Sequence, residues 1–184
     1  KKLTTSFSDS TKEMYLFLLK KKVLILGAGF GGLFSAKDLH PHFDVTIVDK
    51  NTYSEYRPGI HTLLASPDRL AQLQVILADQ LGKKCTVIQG VAQYVTETAA
   101  SIKDKDGKEM IIPFDYLIVS TGSSYAHPFP VSSKTESDEP PAKILYPYYS
   151  TDILKYIEEV KRAKNIAVIG GGPVACEFLG EVAG

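Results

Sequence analysis

The chain has 184 residues, of which 44% are hydrophobic and 23% are charged, a composition typical of a globular protein that buries a core. Its 21 basic and 21 acidic side chains cancel, so the charge balance indicates no nucleic-acid partner and no acidic tail. The two cysteines provide no disulfide framework, and neither they nor the four histidines show metal-ligand spacing.

The N-terminal residues 1–21 are interpreted as a polar tail. The apolar run at residues 14–19 is too short for a bilayer span, which needs about 20 residues, and too short for a secretory signal. A Lys/Ser/Thr-rich start is compatible with a mitochondrial presequence, although Asp9 and Glu13 weaken that interpretation. The localisation therefore stays open between the mitochondrial inner membrane face and the cytoplasm. Because the chain starts at Lys1 and stops inside a helical pattern, we interpret it as a fragment.

A β-α-β unit is predicted directly after this tail. The apolar run at residues 23–26 is typical of a strand buried on both faces. Glycine-rich residues 27–32 follow, and then apolar residues recur at helical spacing as far as Pro41. A second strand at residues 45–48 ends at Asp49, which completes a unit of the size of a parallel crossover.

The glycine-rich loop predicts a dinucleotide site. Gly27, Gly29 and Gly32 fill the three positions of G-x-G-x-x-G: a tight turn, close approach of a pyrophosphate, and close packing of the helix. Asp49 lies 22 residues after Gly27, where an acid can accept hydrogen bonds from an adenosine ribose. The alternative is a structural turn without a ligand.

The middle of the chain is predicted to alternate between helix and strand. Ser66-Pro67-Asp68 predicts a helix start, and the helix is expected to continue through Leu77 to Gly82. Residues 85–88 are predicted to form a strand, and residues 91–120 three more with a turn at Asp106-Gly107. The last of them, at residues 116–119, is continuously apolar and is therefore expected to be central in the sheet.

A second copy of the opening motif follows a proline- and serine-rich stretch. The stretch at residues 126–148 is predicted to be a linker, followed by a helix capped by Ser150 or Thr151. A strand at residues 166–169 then leads into a second loop, with an alanine in the third-glycine position. Two such loops favour two dinucleotides with electron transfer between them. A turn without a ligand is again the alternative.

With both loops in place, the chain resembles the FAD/NAD(P)-binding pyridine nucleotide-disulfide oxidoreductases. It is most similar to type II NADH:quinone oxidoreductases and apoptosis-inducing-factor-like quinone reductases. The resemblance is carried by residues 22–32, 48–50, 115–123 and 170–177. It implies an α/β fold: a three-layer ββα FAD-binding domain with a central parallel sheet at residues 22–125, and the start of a second Rossmann-like NAD(P)-binding domain at residues 149–184.

The resemblance also implies the cofactors FAD and NAD(P)H and a set of binding residues. Ser120, Thr121 and Gly122 match the segment where the family chain passes FAD, and the backbone of Ala92 matches the adenine contact. Glu177 matches the glutamate near the nicotinamide–flavin contact. The respective alternatives are an ordinary strand end, a plain strand start and an acid in an early helix turn. The implied set is completed by Gly27, Ala28, Gly29, Phe30, Gly31, Gly32, Asp49 and Lys50 for FAD, and by Gly170, Gly172, Pro173 and Val174 for NAD(P)H.

The chain departs from the disulfide reductases of this superfamily, because residues 50–66 contain no cysteine pair for a dithiol relay. Cys85 and Cys176 are predicted to be core residues.

Arg57 and His61 fall where the family chain passes the flavin, although a solvated surface arginine is the alternative for Arg57. The apolar Leu63-Leu64 pair is expected in the core.

The resemblance implies that hydride passes from NAD(P)H to the flavin and that electrons pass on to an acceptor, with a quinone favoured. A flavin reductase with a protein acceptor and a non-catalytic dinucleotide-binding redox sensor are the alternatives. Membrane association through a further C-terminal part is also compatible, and the oligomeric state is not indicated. We expect the 184-residue piece alone to be inactive and poorly folded, because its strand at residues 166–169 would lack parallel neighbours.

Overall fold

The computed structural model describes residues 20–123 and 149–183. The predicted tail up to residue 19, the whole of the predicted linker and Gly184 lie outside these ranges. The chain divides into two compact units, of which the first contains the described residues 20–54 and 75–122 and the second contains 55–74, 123 and 149–183. The division into an FAD-binding and an NAD(P)-binding domain stays a prediction.

The helices and strands of the described residues follow one another along the chain in a fixed order. They are β1 (Lys22–Leu26), α1 (Phe30–Leu39), β2 (Asp44–Asp49), β3 (Tyr53–Glu55), a 3-10 helix (Arg57–Leu63), a second 3-10 helix (Pro67–Arg69), α2 (Leu70–Leu73), β4 (Gln74–Ile76), α3 (Leu77–Leu81), a third 3-10 helix (Gly82–Lys84), β5 (Thr86–Val95), β6 (Ala99–Asp104), β7 (Glu109–Pro113), β8 (Tyr116–Val119), α4 (Ser150–Arg162) and α5 (Pro173–Ala183).

The first unit is built on a six-stranded sheet with the order β7-β6-β5-β2-β1-β8. Strand β1 pairs in parallel with β2 on one side and β8 on the other, and β2 pairs in parallel with β5. The outer pairs β5–β6 and β6–β7 are antiparallel. The predicted α/β class with a central parallel sheet is therefore confirmed.

The two faces of β1 are covered by different layers. Val23 and Ile25 pack with the buried face of α1 and with Leu77 and Leu81 of α3. The alternate residues of β1 pack with Ala100 and other residues of the antiparallel strands. Cover on both faces explains why the sequence of β1 is continuously apolar, and the layers agree with the arrangement that the resemblance implies.

Strand β8 corrects one prediction, because among the described residues it lies at the edge of the sheet rather than in its centre. In the described part of the chain its hydrogen-bonded neighbour is β1, and Val119 is 65% exposed. A continuous apolar run favours a strand whose two faces are covered. The run does not indicate whether the strand has a hydrogen-bonded neighbour at each of its edges.

The single helix predicted from Ser66 to Gly82 is also wrong. Residues 74–76 form strand β4, which pairs with β3 in a small two-stranded sheet and separates α2 from α3. The β-branched Val75 and Ile76 favour a strand, and the Leu77 amide donates to the Thr52 carbonyl, 2.9 Å away, instead of to a helical partner. The predicted strand at residues 85–88 and the one from residue 91 are one continuous strand, β5.

The second unit has its own apolar cluster. Leu63 and Leu64 pack with Ile153 and Ile157, which lie one turn apart on α4, so the prediction that this leucine pair is core is confirmed. Helix α4 starts at Ser150, whose N–H group is held by Glu55, with 3.2 Å between the Ser150 nitrogen and the Glu55 Oε2.

The cap of α4 differs from the predicted Ser150 or Thr151. The Asp152 carboxylate accepts a hydrogen bond from the N–H group of Tyr149, the residue before the helix, at 3.0 Å. Ser150 lies inside the helix, fully buried, and its hydroxyl donates to Glu55. A serine whose hydroxyl is taken by a tertiary partner is not available as a cap.

The strand predicted at residues 166–169 is absent, and the segment is irregular and exposed, with Ile169 79% accessible. Within the described residues, no strand lies beside it to accept or donate backbone hydrogen bonds. An apolar strand of a parallel sheet is stable only between neighbours, so the pattern alone does not form it.

Candidate dinucleotide-binding site

The first glycine loop lies at the end of β1, between the ends of β2 and β8. The Gly27 N–H group donates to the Val48 carbonyl at 2.8 Å, and Gly27 has a φ of 96°. A Cβ atom at this position would lie 2.3 Å from the Ser120 carbonyl oxygen. Both the turn and the approach of β8 therefore require glycine at this position.

The other two motif glycines face different surroundings. A Cβ atom on Gly32 would lie 1.8 Å from the Gly27 carbonyl oxygen, so α1 packs against the loop at a distance that only glycine permits. A Cβ atom on Gly29 would have no atom within 4 Å. Gly29 therefore borders open space directly before the first turn of α1, where a helix presents N–H groups and the positive end of its dipole.

Asp49 lies beside the loop. Its Oδ2 accepts a hydrogen bond from the Ala28 N–H group at 2.7 Å, and its Oδ1 accepts one from the Asn51 N–H group at 2.8 Å. An ionised carboxylate has about four acceptor positions, so Asp49 retains capacity for the hydroxyls of a ribose. The structure thus brings the predicted acid and the predicted loop into direct contact.

Ser120 belongs to the segment that the resemblance places beside FAD, but its contact with the first glycine loop was not predicted. Its hydroxyl lies 2.8 Å from the Gly27 carbonyl oxygen and 3.1 Å from that of Leu26, and its N–H group donates to the Leu26 carbonyl at 2.8 Å. The feature of the sequence that could have predicted this contact is a hydroxyl residue at the end of an apolar strand. The prediction would also have required the knowledge that this strand pairs with β1.

The remaining residues predicted for FAD lie around this loop or on β5. Lys50 follows Asp49, and its carbonyl accepts a hydrogen bond from the Gln89 side chain at 3.1 Å. Thr121 and Gly122 are exposed directly after Ser120. Ala92 is paired with Ile102 next to a bulge in β5 and packs against the apolar cluster on that face of the sheet. Their contacts with FAD stay predictions.

The second glycine loop precedes α5, as predicted, in the second unit. Gly170 has a φ of 116°, Pro173 is the first residue of α5, and Val174 is exposed beside it. The N–H group of Cys176 donates to the Gly172 carbonyl at 3.1 Å. The loop and the helix are therefore formed, whereas the strand that should lead into them is not.

Two further side chains of the second unit meet at α5. The Glu177 Oε2 lies 3.5 Å from the His61 Nδ1, and the resemblance assigns both residues to the flavin region.

Arg57 stacks on the ring of Tyr149, with 4.5 Å from the guanidinium carbon to the ring centre. Arg57 is half-buried, and its place beside the flavin stays a prediction.

The two cysteines lie in different environments. Cys85 is half-buried, with its sulfur 3.8 Å from the Ala36 carbonyl oxygen, and burial raises the pKa of its thiol more than Lys84 lowers it. Cys176 is exposed, so its assignment to the core is wrong. It lies in the first turn of α5, directly before the exposed Glu177.

The arrangement in the first unit defines a class of protein. A central parallel strand that leads through a glycine turn into a helix, with an acid from the next strand against the turn, is the framework of a dinucleotide-binding α/β fold. In the described ranges, no group of three or more His, Cys, Asp or Glu side chains could hold a metal ion. The helices described there all fall short of the length and apolar character that a bilayer crossing requires.

Comparison with known proteins identifies the family. The family model described as pyridine nucleotide-disulphide oxidoreductase matches residues 21–183, and the chain belongs to this family. Membership in the family supports the prediction that the cofactors are FAD and NAD(P)H.

Individual relatives cover this chain almost completely. It is 37% identical over 183 residues to apoptosis-inducing factor homolog A of Dictyostelium discoideum. This match covers 99% of this chain and 40% of that protein. It is 26% identical over 178 residues to the type II NADH:quinone oxidoreductase NdhA of Mycobacterium tuberculosis. This second match covers 89% of this chain and 37% of that protein. The chain therefore spans less than half the length of these relatives.

A solved structure shares the fold. NDH2 of Plasmodium falciparum, in complex with NADH, matches with a TM-score of 0.66 at 20% identity, over 89% of this chain and 37% of that chain. This likeness confirms the predicted fold class.

Proposed function

We propose that the protein is an FAD-dependent oxidoreductase that accepts hydride from NADH or NADPH and passes the electrons to a quinone. The observation that carries the proposal is the contact between Asp49 and the first glycine loop, at 2.7 Å from the Ala28 nitrogen. This contact supports the proposal because a carboxylate beside the loop can accept hydrogen bonds from ribose hydroxyls, close to the open space at Gly29 and the N-terminus of α1.

The chain's own residues bind and orient in this proposal. The first turn of α1 provides N–H groups and a helix dipole for the FAD diphosphate, while Asp49 accepts hydrogen bonds from the adenosine ribose. The second loop, from Gly170 to Val174, plays the same part for the nicotinamide dinucleotide at the start of α5. When bound, the flavin supplies the hydride-accepting and electron-donating chemistry.

A quinone as the acceptor is supported by the kind of relatives that the chain has. The Mycobacterium tuberculosis relative is named a type II NADH:quinone oxidoreductase. The absence of cysteines from residues 50–66 argues in the same direction, because it removes the dithiol that a disulfide reductase uses in that segment.

The experiment uses the purified full-length protein under anaerobic conditions. We expect a flavin absorbance spectrum that NADH or NADPH bleaches and that a soluble quinone then restores. Restoration by a ferredoxin-type protein and not by quinones would replace the proposed acceptor with a protein. A flavin spectrum that neither nicotinamide bleaches would indicate a redox sensor without turnover, and a protein that remains colourless when offered FAD would reject the proposal.

A matched pair of variants tests the observation itself. Asp44 and Asp49 lie at opposite ends of β2, and only Asp49 contacts the glycine loop. We expect Asp49→Asn to weaken FAD binding at least tenfold, since hydrogen bonds that involve a charged group contribute about 1.5–3 kcal/mol. Asp44→Asn should bind FAD like the wild type, and equal losses in both variants would show that the loop contact is irrelevant.

A further inference from the structure

The peptide group between Gly27 and Ala28 is held at both of its ends by side chains. Its carbonyl oxygen lies 2.8 Å from the Ser120 hydroxyl, and its N–H group lies 2.7 Å from the Asp49 carboxylate. Ser120 directly follows β8 and Asp49 is the last residue of β2, and these two strands flank β1 in the sheet.

Holding both ends determines the orientation of the peptide plane. The C=O and N–H of a trans peptide point in opposite directions, so a donor on one side and an acceptor on the other stabilise one orientation and oppose a flip. A flip rotates ψ of Gly27 and φ of Ala28, and Gly27, which lacks a Cβ, accepts a wide range of ψ, so it does not hold the plane by itself. The Gly27 N–H group is also engaged, by the Val48 carbonyl at 2.8 Å.

The orientation matters for an anionic ligand. The Gly27 carbonyl oxygen faces the inside of the fold, where it lies 1.8 Å from the position of a Cβ on Gly32 and within reach of Ser120. A flip would turn this partial negative charge away from Ser120 and remove the Ala28 N–H group from Asp49. The loop that has to receive a diphosphate would then have to reorganise during binding.

We propose that Ser120 is a positioning residue, which pre-organises the first glycine loop for the diphosphate of the dinucleotide by donating its hydroxyl to the Gly27 carbonyl. The inference rests on the proposed function in that it takes FAD as the ligand of this loop. Ser120 acts through the loop and together with Asp49, which bonds the other end of the same peptide.

The test compares variants of the full-length protein by their FAD dissociation constants, measured well below the unfolding temperature. Ser120→Ala removes the hydroxyl and keeps the Cβ, and we expect it to raise the constant about five- to tenfold, the effect of one hydrogen bond. Ser120→Thr retains a hydroxyl and should restore binding to within about twofold of the wild type. Ser101→Ala, at a buried serine on β6 of the same unit, is the control and should not change the constant.

A second measurement follows the peptide itself. In the ligand-free protein, the amide of Ala28 should exchange its hydrogen faster in Ser120→Ala than in the wild type, because the plane is released at its other end. The amide of Ile25 in β1 should exchange alike in both proteins.

Several results would overturn the inference. One is a Ser120→Ala variant that binds FAD like the wild type, even if it melts at a lower temperature, because the serine would then serve stability alone. Another is a folded Ser120→Thr variant that binds as weakly as the alanine variant. Should Ser120→Ala fail to fold, Ser120→Cys, a weaker donor, should still bind FAD less tightly than the wild type, and an unchanged constant would overturn the inference.

A wild-type protein that does not bind FAD would reject the proposed function instead. The exchange of the Ala28 amide would then decide whether Ser120 holds the loop.

Discussion

At the scale of single residues, the first loop contains glycines that the fold requires and one, Gly29, that the fold does not require. Gly32 lies against the backbone of Gly27, and a Cβ there would overlap the carbonyl oxygen at 1.8 Å. Gly29 has an ordinary φ of −66° and open space where its Cβ would be. The same substitution should therefore have different consequences at the two positions.

We expect Gly32→Ala to destabilise the protein by about 1–3 kcal/mol or more, as overpacking against a rigid backbone does. Gly29→Ala should unfold at nearly the wild-type urea concentration and lose FAD affinity at least tenfold, because its methyl group occupies the space of the diphosphate. Urea unfolding and FAD titration measure the two effects. Gly180→Ala in α5, where a Cβ also meets open space, is the control for replacing a glycine with alanine at an open position.

At the scale of elements, β8 is tied to β1 at its first residues by Asp115. The Asp115 carboxylate accepts hydrogen bonds from the Lys22 N–H group at 2.7 Å and from the Lys21 ammonium at 2.9 Å. These two hydrogen bonds hold the pKa of Asp115 below its usual value, and the pKa of Lys21 is raised in turn. The pairing of these strands brings Ser120 to the loop.

This tie predicts a pH dependence of stability. Because the folded state lowers the pKa of Asp115, it binds fewer protons than the unfolded state, and the stabilisation is complete above the ordinary carboxyl pKa. It should be lost as the pH falls from about 4 through the lower pKa of the folded state. Urea unfolding of Asp115→Asn should show a shallower loss of stability in this range than the wild type, and the exposed Asp38→Asn should not. The difference should be small, since both partners are exposed.

A second element is anchored through its first turn. The Glu55 carboxylate accepts hydrogen bonds from the N–H group and the hydroxyl of Ser150 and from the Gln74 amide at 3.4 Å. An ionised carboxylate only accepts, which suits three donors.

Glu55→Gln replaces one acceptor oxygen with an NH2 group that opposes these donors. We expect it to destabilise the protein by about 1–3 kcal/mol in urea unfolding, the cost of leaving a half-buried group unsatisfied. Glu158→Gln on the exposed face of α4, where the ion pairs are 3.8 Å long, should cost less than about 1 kcal/mol. Similar costs in both variants would contradict an anchoring role for Glu55.

At the scale of the whole molecule, the second βα unit is formed only in part. Its glycine loop and α5 are present, whereas residues 166–169 repeat the apolar pattern of β1 without its neighbours. The relatives of this chain are more than twice as long, so the length that could supply further strands exists in them.

We therefore expect the amides of residues 166–169 to be protected from hydrogen exchange in the full-length protein and to exchange rapidly in the 184-residue piece. Those of β1 should be protected in both, because β1 lies between β2 and β8 within the piece. Strong protection of residues 166–169 in the isolated piece would contradict this expectation. Rapid exchange of β1 in the piece would instead support the poor folding expected of the whole piece, and its inactivity stays a prediction that an activity assay tests.

The sequence by itself determined the features that neighbouring residues encode: the strand of β1 covered on both faces, the turn at Gly27, the start of α1 and the acid at the end of β2. Turn chemistry and periodicity act over a few residues, so they can be read locally. Only the tertiary structure decided which distant residues meet. The Ser120 hydroxyl reaches Gly27 across 93 positions, and Glu55 holds Ser150 across 95. The same holds for the edge position of β8 and the strand that interrupts the predicted helix at Val75, because strand pairing depends on partners that a local pattern does not name.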